Sequence, residues 1–136
     1  TYGALCRGLL TGKLGPDAAF PGDDLRNVDP KFQDPRYAQY LAAVRRLDVF
    51  AREHYGRTVL ELAIRWVLDQ PGVTTALWGL RRPEQAEPIP GVFGWHLEED
   101  AQQAIEDILS ETITDPVGPE FMAPPTRSET EAGSET

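Results

Sequence analysis

The sequence predicts an α/β fold, and three observations predict it. Two short apolar runs, Tyr2 to Cys6 and Val73 to Trp78, lead into glycine-containing stretches, as buried strands with their loops do. Longer segments repeat apolar residues every three or four positions, the spacing of amphipathic helices. The order strand, helices, strand, helices is that of α/β units, whose parallel strands are buried on both faces.

Taken in order, Tyr2 to Cys6 is expected as a strand, although a truncated helix also fits so short a run. Leu14 to Gln33 holds "GPDAAFPGDDLRNVDP", rich in turn residues, and is expected as a long surface loop. Asp34 before Pro35 reads as an N-cap with proline at the first helical position. The helix that follows places Tyr37, Tyr40, Leu41, Val44, Leu47 and Ala51 on one stripe, and Gly56 ends it. Its arginines fall elsewhere and read as a solvated face.

Thr58 and Glu61 form a capping box opening a helix that Pro71 and Gly72 close. Leu60, Ile64 and Leu68 widen its apolar stripe, so it is expected to be covered on more than one side. After the strand Val73 to Trp78, Pro88 and Pro90 allow only a short helix from Arg82 to Glu87. A last helix spans Leu97 to Thr112, with Glu98, Glu99 and Asp100 where the helix dipole favours negative charge. Residues 126–136 are polar and acidic and are expected to be a disordered tail to a domain of residues 1–125.

Composition limits the partners. The 136 residues make about one domain. The net charge of −9, with no long Lys/Arg run, argues against nucleic acid and against an anionic membrane surface. No apolar run reaches the roughly 18 residues of a membrane span. A single cysteine, Cys6, rules out an intramolecular disulfide or a multi-cysteine zinc site, and no metal-ligand spacing is present. The cytoplasm is the expected location. The chain starts at Thr1, already inside an apolar segment, which suggests a fragment.

The stretch "WGLRRPEQ" raises the chemical question. A glycine and two arginines at a strand-to-helix turn suit a phosphate, because amides and the helix dipole point there and guanidinium groups add charge. On spacing alone, paired arginines at a helix start are more often surface residues.

"YGALCRGLLTGK", the loop with "GDDLR", "TVLELAIRWVLDQPGV", "ALWGLRRPEQ" and "ITDPVGPEFMAPP" together resemble the C-terminal part of an aldo-keto reductase, close to the bacterial general stress protein branch. The resemblance covers Tyr2 to Thr126 in order. It implies a (β/α)8 TIM barrel of which the two strands are the seventh and eighth, and NADP(H) bound across the C-terminal face. It implies Tyr2 stacked on the nicotinamide and Gly3, Leu5, Arg7, Gly8 and Lys13 along the diphosphate. Gly79, Arg81, Arg82 and Gln85 then surround the adenosine 2′-phosphate, with Arg81 the main charge partner. Glu87, Pro88 and Ile89 depart from the family's Glu-Asn pair, which leaves the adenine contacts open.

The family's catalytic Asp, Tyr, Lys and His come from earlier strands, and no residue of this chain matches them. His54 and His96 read as surface or capping residues. The reading is therefore an NADP-dependent reductase of a small aldehyde or ketone, here a C-terminal portion that carries cofactor-binding residues, no catalytic ones, and edges that favour self-association. The loop from Leu14 to Pro30 and "PVGPEFM" would border the substrate. The competing reading is a non-catalytic nucleotide-binding module, or a half-barrel that assembles with another chain.

Overall fold

The computed structural model of the chain describes residues 1–119, so the expected tail and the Glu120 to Met122 part of the expected substrate border lie outside the described residues. Three α-helices form its centre: α1, Arg36–Tyr55; α2, Val59–Leu68; and α3, Glu99–Thr112. Helix α1 packs against both of the others. Short 3-10 segments, Cys6–Thr11, Leu25–Asn27, Pro30–Phe32, Pro83–Ala86 and Ile89–Val92, carry the chain between them.

Helix α1 exists because its stripe is buried: Tyr37, Leu41, Val44, Leu47 and Ala51 all lie in the core. Each large apolar side chain placed there contributes about 1.5–3 kcal/mol. Gly56 takes the left-handed conformation, φ 63°, and its N–H returns to the carbonyls of Ala51 and Arg52, ending the helix as expected. The start differs. The Asp34–Pro35 peptide is cis, the helix begins at Arg36, and no side chain caps it. Arg45, Arg46 and Arg52 are exposed, and Arg46 reaches Glu111 at 2.7 Å on the last turn of α3.

Helix α2 opens with the expected capping box. The Thr58 N–H and hydroxyl donate to Glu61 Oε2 at 2.7 and 2.9 Å, and the Glu61 N–H donates to the Thr58 hydroxyl. Asp48 of α1 accepts the Val59 N–H at 2.9 Å, which fixes the angle between the two helices. The second apolar face is covered by Ile89–Val92, so Leu60 and Ile64 are buried. The helix stops at Leu68 because Pro71 disfavours the helical conformation at Gln70, and the Asp69 carboxylate beyond its end serves the next element. It accepts the Leu97 N–H at 2.8 Å, lies 3.0 Å from His96 Nδ1, and pairs with Arg65 at 2.7 Å.

Neither expected strand forms among the described residues. Ala4 and Leu5 make a turn, Cys6 opens a 3-10 segment, and Val73 to Trp78 lie outside any ladder. Two hydrogen bonds nevertheless join them: Leu77 N–H to Thr1 O at 2.8 Å, and the Thr1 ammonium to Thr75 O at 2.5 Å. Thr1 thus straddles Ala76 with the bond pattern of a parallel pair. One such pair is too short to make a sheet, and Leu77 remains 62% exposed instead of buried on both faces. Beside it, Leu47, Leu62, Trp66, Ile105 and residues 1–4 line an apolar groove of about 370 Å³.

The Leu14 to Gln33 segment is not wholly a surface loop. Its first half is mostly exposed, but Asp29, Lys31 and Phe32 are buried. Phe20 meets Phe32 edge-on at 5.4 Å and Phe32 meets Tyr37 at 5.8 Å, an aromatic row that pins the segment onto α1.

Candidate functional site

The site begins with an unusual piece of backbone. Cys6, Arg7 and Gly8 are successively left-handed, with φ of 50°, 54° and 89°. Only Gly8 takes this conformation freely; for Cys6 and Arg7 it costs about 1–2 kcal/mol each. The surroundings hold the turn closed. Cys6 N–H bonds to Gly3 O at 2.8 Å, Gly8 and Leu10 N–H both bond to Leu5 O, and Leu9 is anchored in the core. Arg7 Nη1 reaches across to Asp29 Oδ2 at 2.7 Å.

Asp29 is the centre of the buried end of this arrangement, with its side chain fully shielded. Its Oδ1 accepts the Lys31 N–H at 3.0 Å, capping Pro30–Phe32, and the Lys31 ammonium lies 3.0 Å from the same oxygen. Cys6 adjoins the cluster. Burial pushes its thiol up from the ordinary value, which keeps it neutral and suits a packing role.

On the open side stands Arg26. A Cβ built on Gly8 would meet nothing nearer than Arg26 Nη1 at 4.0 Å, so the guanidinium borders an open surface over the turn. Asp24 holds Arg26 in a fork, Nε to Oδ1 at 2.9 Å and Nη2 to Oδ2 at 2.6 Å, and also accepts the Arg26 N–H at 3.0 Å. The Arg26 guanidinium lies 4.1 Å from the centroid of the Phe20 ring. The side-chain bond from Arg26 holds the Asp24 carboxyl well below the usual carboxylate range, and the charge of Arg81 acts in the same direction. Arg81 therefore lies within electrostatic reach of Asp24, although 57 residues separate them in sequence.

The Arg81 end differs from its sequence expectation in one respect. No helix long enough to present a dipole follows it; Pro83–Ala86 is a single 3-10 turn. Gln85 Oε1 accepts the N–H groups of both Arg81 and Arg82, at 2.7 and 3.1 Å, so these amides are already occupied. The two guanidinium groups themselves are exposed. Gly79 has no heavy atom within 4 Å of a built Cβ, which leaves that approach open.

The structure thus sets Arg26 beside the Gly8 turn and Arg7 beneath it on Asp29, while Arg81 acts on Asp24, the partner of Arg26, and has Gln85 bonded to its amide. Gly3 closes the turn from behind with φ 76°, and Leu5 is half-buried beneath it. Lys13 is exposed at the end of the same segment, and Tyr2 is 59% exposed near the groove mouth. Asp24, Arg26 and Asp29 are the members sequence reasoning missed. The available signal was the Asp-x-Arg spacing of "DLR", in which one carboxylate can take both an amide and a guanidinium. Among the described residues no group of three His, Cys, Asp or Glu side chains is placed to hold a metal ion, and no helix is long and apolar enough to cross a membrane.

Comparison with known proteins bears on this arrangement. The model of the Aldo/keto reductase family matches residues 1–110. The chain is 59% identical over 128 residues to the aldo-keto reductase YhdN of Bacillus subtilis (strain 168), across 94% of this chain and 39% of that protein. It superimposes on the structure of the glycerol dehydrogenase AKR11B4 from Gluconobacter oxydans with a TM-score of 0.79 and 50% identity, over 90% of this chain and 37% of that one. The chain spans about two fifths of the length of these relatives.

Proposed function

The chain belongs to the aldo/keto reductase family, and from that membership and the assembled surface we propose that it forms the C-terminal part of an NADP-dependent reductase of aldehydes or ketones. The family is one of oxidoreductases built on a (β/α)8 barrel that generally use NAD(P)H and carbonyl substrates. Tyr2 to Cys6 and Val73 to Trp78 are, in this reading, the seventh and eighth strands. The single parallel pair at Thr1 is the part of their ladder that forms without the other strands. The groove against α1 and α2 is where the sheet lies.

The observation that carries the reading is the open left-handed turn at Gly8 bordered by the Arg26 guanidinium, with the charge of Arg81 acting on Asp24, the partner of Arg26. The donor set fits a phosphorylated dinucleotide: guanidinium groups for phosphate oxygens, and a backbone with no Cβ at the closest approach. Residues 3–8 would run along the diphosphate, Arg26 would close over it, and Arg81 with Arg82 would take the 2′-phosphate. When bound, the reduced nicotinamide supplies the hydride. Tyr2 would orient its ring, and the proton would come from a tyrosine outside residues 1–136. Leu25 and Val28, 62% and 74% exposed next to Arg26, offer apolar contact to the carbon chain of a small substrate. A single half-buried thiol suits work in the reducing cytoplasm.

The test is Arg81→Ala in the full-length reductase, with dissociation constants for NADPH and NADH. Loss of a charged hydrogen bond to the 2′-phosphate should weaken NADPH roughly ten- to a hundredfold and leave NADH nearly unchanged. Equal losses for the two would show that Arg81 does not read that phosphate.

A further inference from the structure

We propose that Asp29 is a positioning residue for the cofactor: its buried carboxylate holds Arg7, and through Arg7 the left-handed Cys6–Gly8 turn, in the shape that receives the diphosphate. The proposal rests on the cofactor reading above. It starts from two facts of geometry. The first is the run of left-handed residues at Cys6 and Arg7, a conformation that non-glycine residues keep only where their surroundings over-determine it and that concentrates at functional sites. The second is a carboxylate with a fully shielded side chain, placed between two cations on a segment 22 residues away from Arg7.

A buried ion cluster is a poor device for stability alone, because desolvating the charges offsets most of their attraction. What it does well is fix geometry. Asp29 divides its two oxygens between tasks. Oδ1 caps Pro30–Phe32 and meets the Lys31 ammonium, which ties the carboxylate to the segment pinned on α1 by Phe32. Oδ2 takes Arg7 at 2.7 Å. The rigid side of the molecule thereby dictates the conformation of the turn. Without the Asp29 carboxylate, Arg7 loses the contact that ties it to the α1 side, and the left-handed turn at Arg7 and Gly8 is held less firmly in the shape bordered by Arg26. The diphosphate is common to both nicotinamide dinucleotides, so losing Asp29 should weaken both alike, unlike losing Arg81.

The experiment measures NADPH and NADH binding by fluorescence titration in the full-length reductase carrying Asp29→Asn, Arg7→Gly, both changes, or Arg81→Ala. Asp29→Asn should weaken both cofactors by the same factor, roughly tenfold for one charge-assisted contact acting on the turn. In the Arg7→Gly background glycine adopts the left-handed shape unaided, and adding Asp29→Asn should then change either constant by no more than about twofold. An equal cost of Asp29→Asn with glycine or arginine at position 7, or no cost in either, overturns the proposal. Where Arg81→Ala discriminates the cofactors and Asp29→Asn has no effect, the proposal fails while the cofactor reading stands. Where neither change affects binding, both fail. If Asp29→Asn does not accumulate as folded protein, Asp29→Glu carries the test: it keeps the charge but displaces Arg7 by one methylene, and wild-type affinity for both cofactors would refute the role.

Discussion

Gly91→Ala tests how α2 is held at its start. A Cβ on Gly91 would sit 1.7 Å from Glu61 Oε1 and 2.8 Å from Glu61 Cδ. Gly91 is not left-handed, so the obstacle is steric and not conformational. The Glu61 carboxylate is the flexible end of its side chain and must swing away, which breaks the bonds its other oxygen accepts from the Thr58 N–H and hydroxyl. That removes half of the capping box, and the expected cost is about 1–2 kcal/mol, the usual size of a lost cap. Urea unfolding of the full-length protein reads this as a midpoint lower by roughly 0.5–1 M at an unchanged slope. Glu61→Ala should cost about the same. The two changes together should cost little more than either, because each removes the same pair of bonds. Additive losses would mean that the Ile89–Val92 backbone moves instead, uncovering Leu60 and Ile64, and the reasoning from the cap would be wrong.

Two further outcomes follow from the same structure. Burial raises the Asp69 pKa, but the bonds from His96, the Leu97 amide and Arg65 outweigh it and hold the carboxyl below its usual value. The stabilisation is therefore present above the unfolded value near pH 4 and is lost as pH falls through the folded value. Asp69→Asn should cost about 1–3 kcal/mol at pH 7, and the gap to the parent should narrow below pH 4; a gap constant from pH 7 to pH 3 refutes the assignment. The 136-residue chain alone should not reduce aldehydes with NADPH. Tyr37 donates to Gly15 O at 2.8 Å and Lys31 is paired with Asp29, so neither is poised as part of an acid-base pair. Turnover abolished by a point change within this chain would contradict that.

The sequence alone determined what local chemistry determines. The α1 stripe, the left-handed Gly56 stop, the Thr58–Glu61 box and the two-sided burial of α2 all depend on residues within a turn or two of each other, so spacing is enough to read them. The family was legible for a related reason, since its motifs are short and lie in order along the chain. Tertiary structure decided the rest. Whether Tyr2 to Cys6 and Val73 to Trp78 become strands depends on neighbours that supply the remaining hydrogen bonds, which no local pattern contains. The burial of Asp29, Lys31 and Phe32 in the Leu14 to Gln33 loop was invisible because turn residues announce direction changes, not what packs beneath them. Asp29 meets Arg7 across 22 residues, and Asp24 feels Arg81 across 57. Pairings at such separations are chosen by packing, because the energy that brings them together is spread over the core and is not written in either residue.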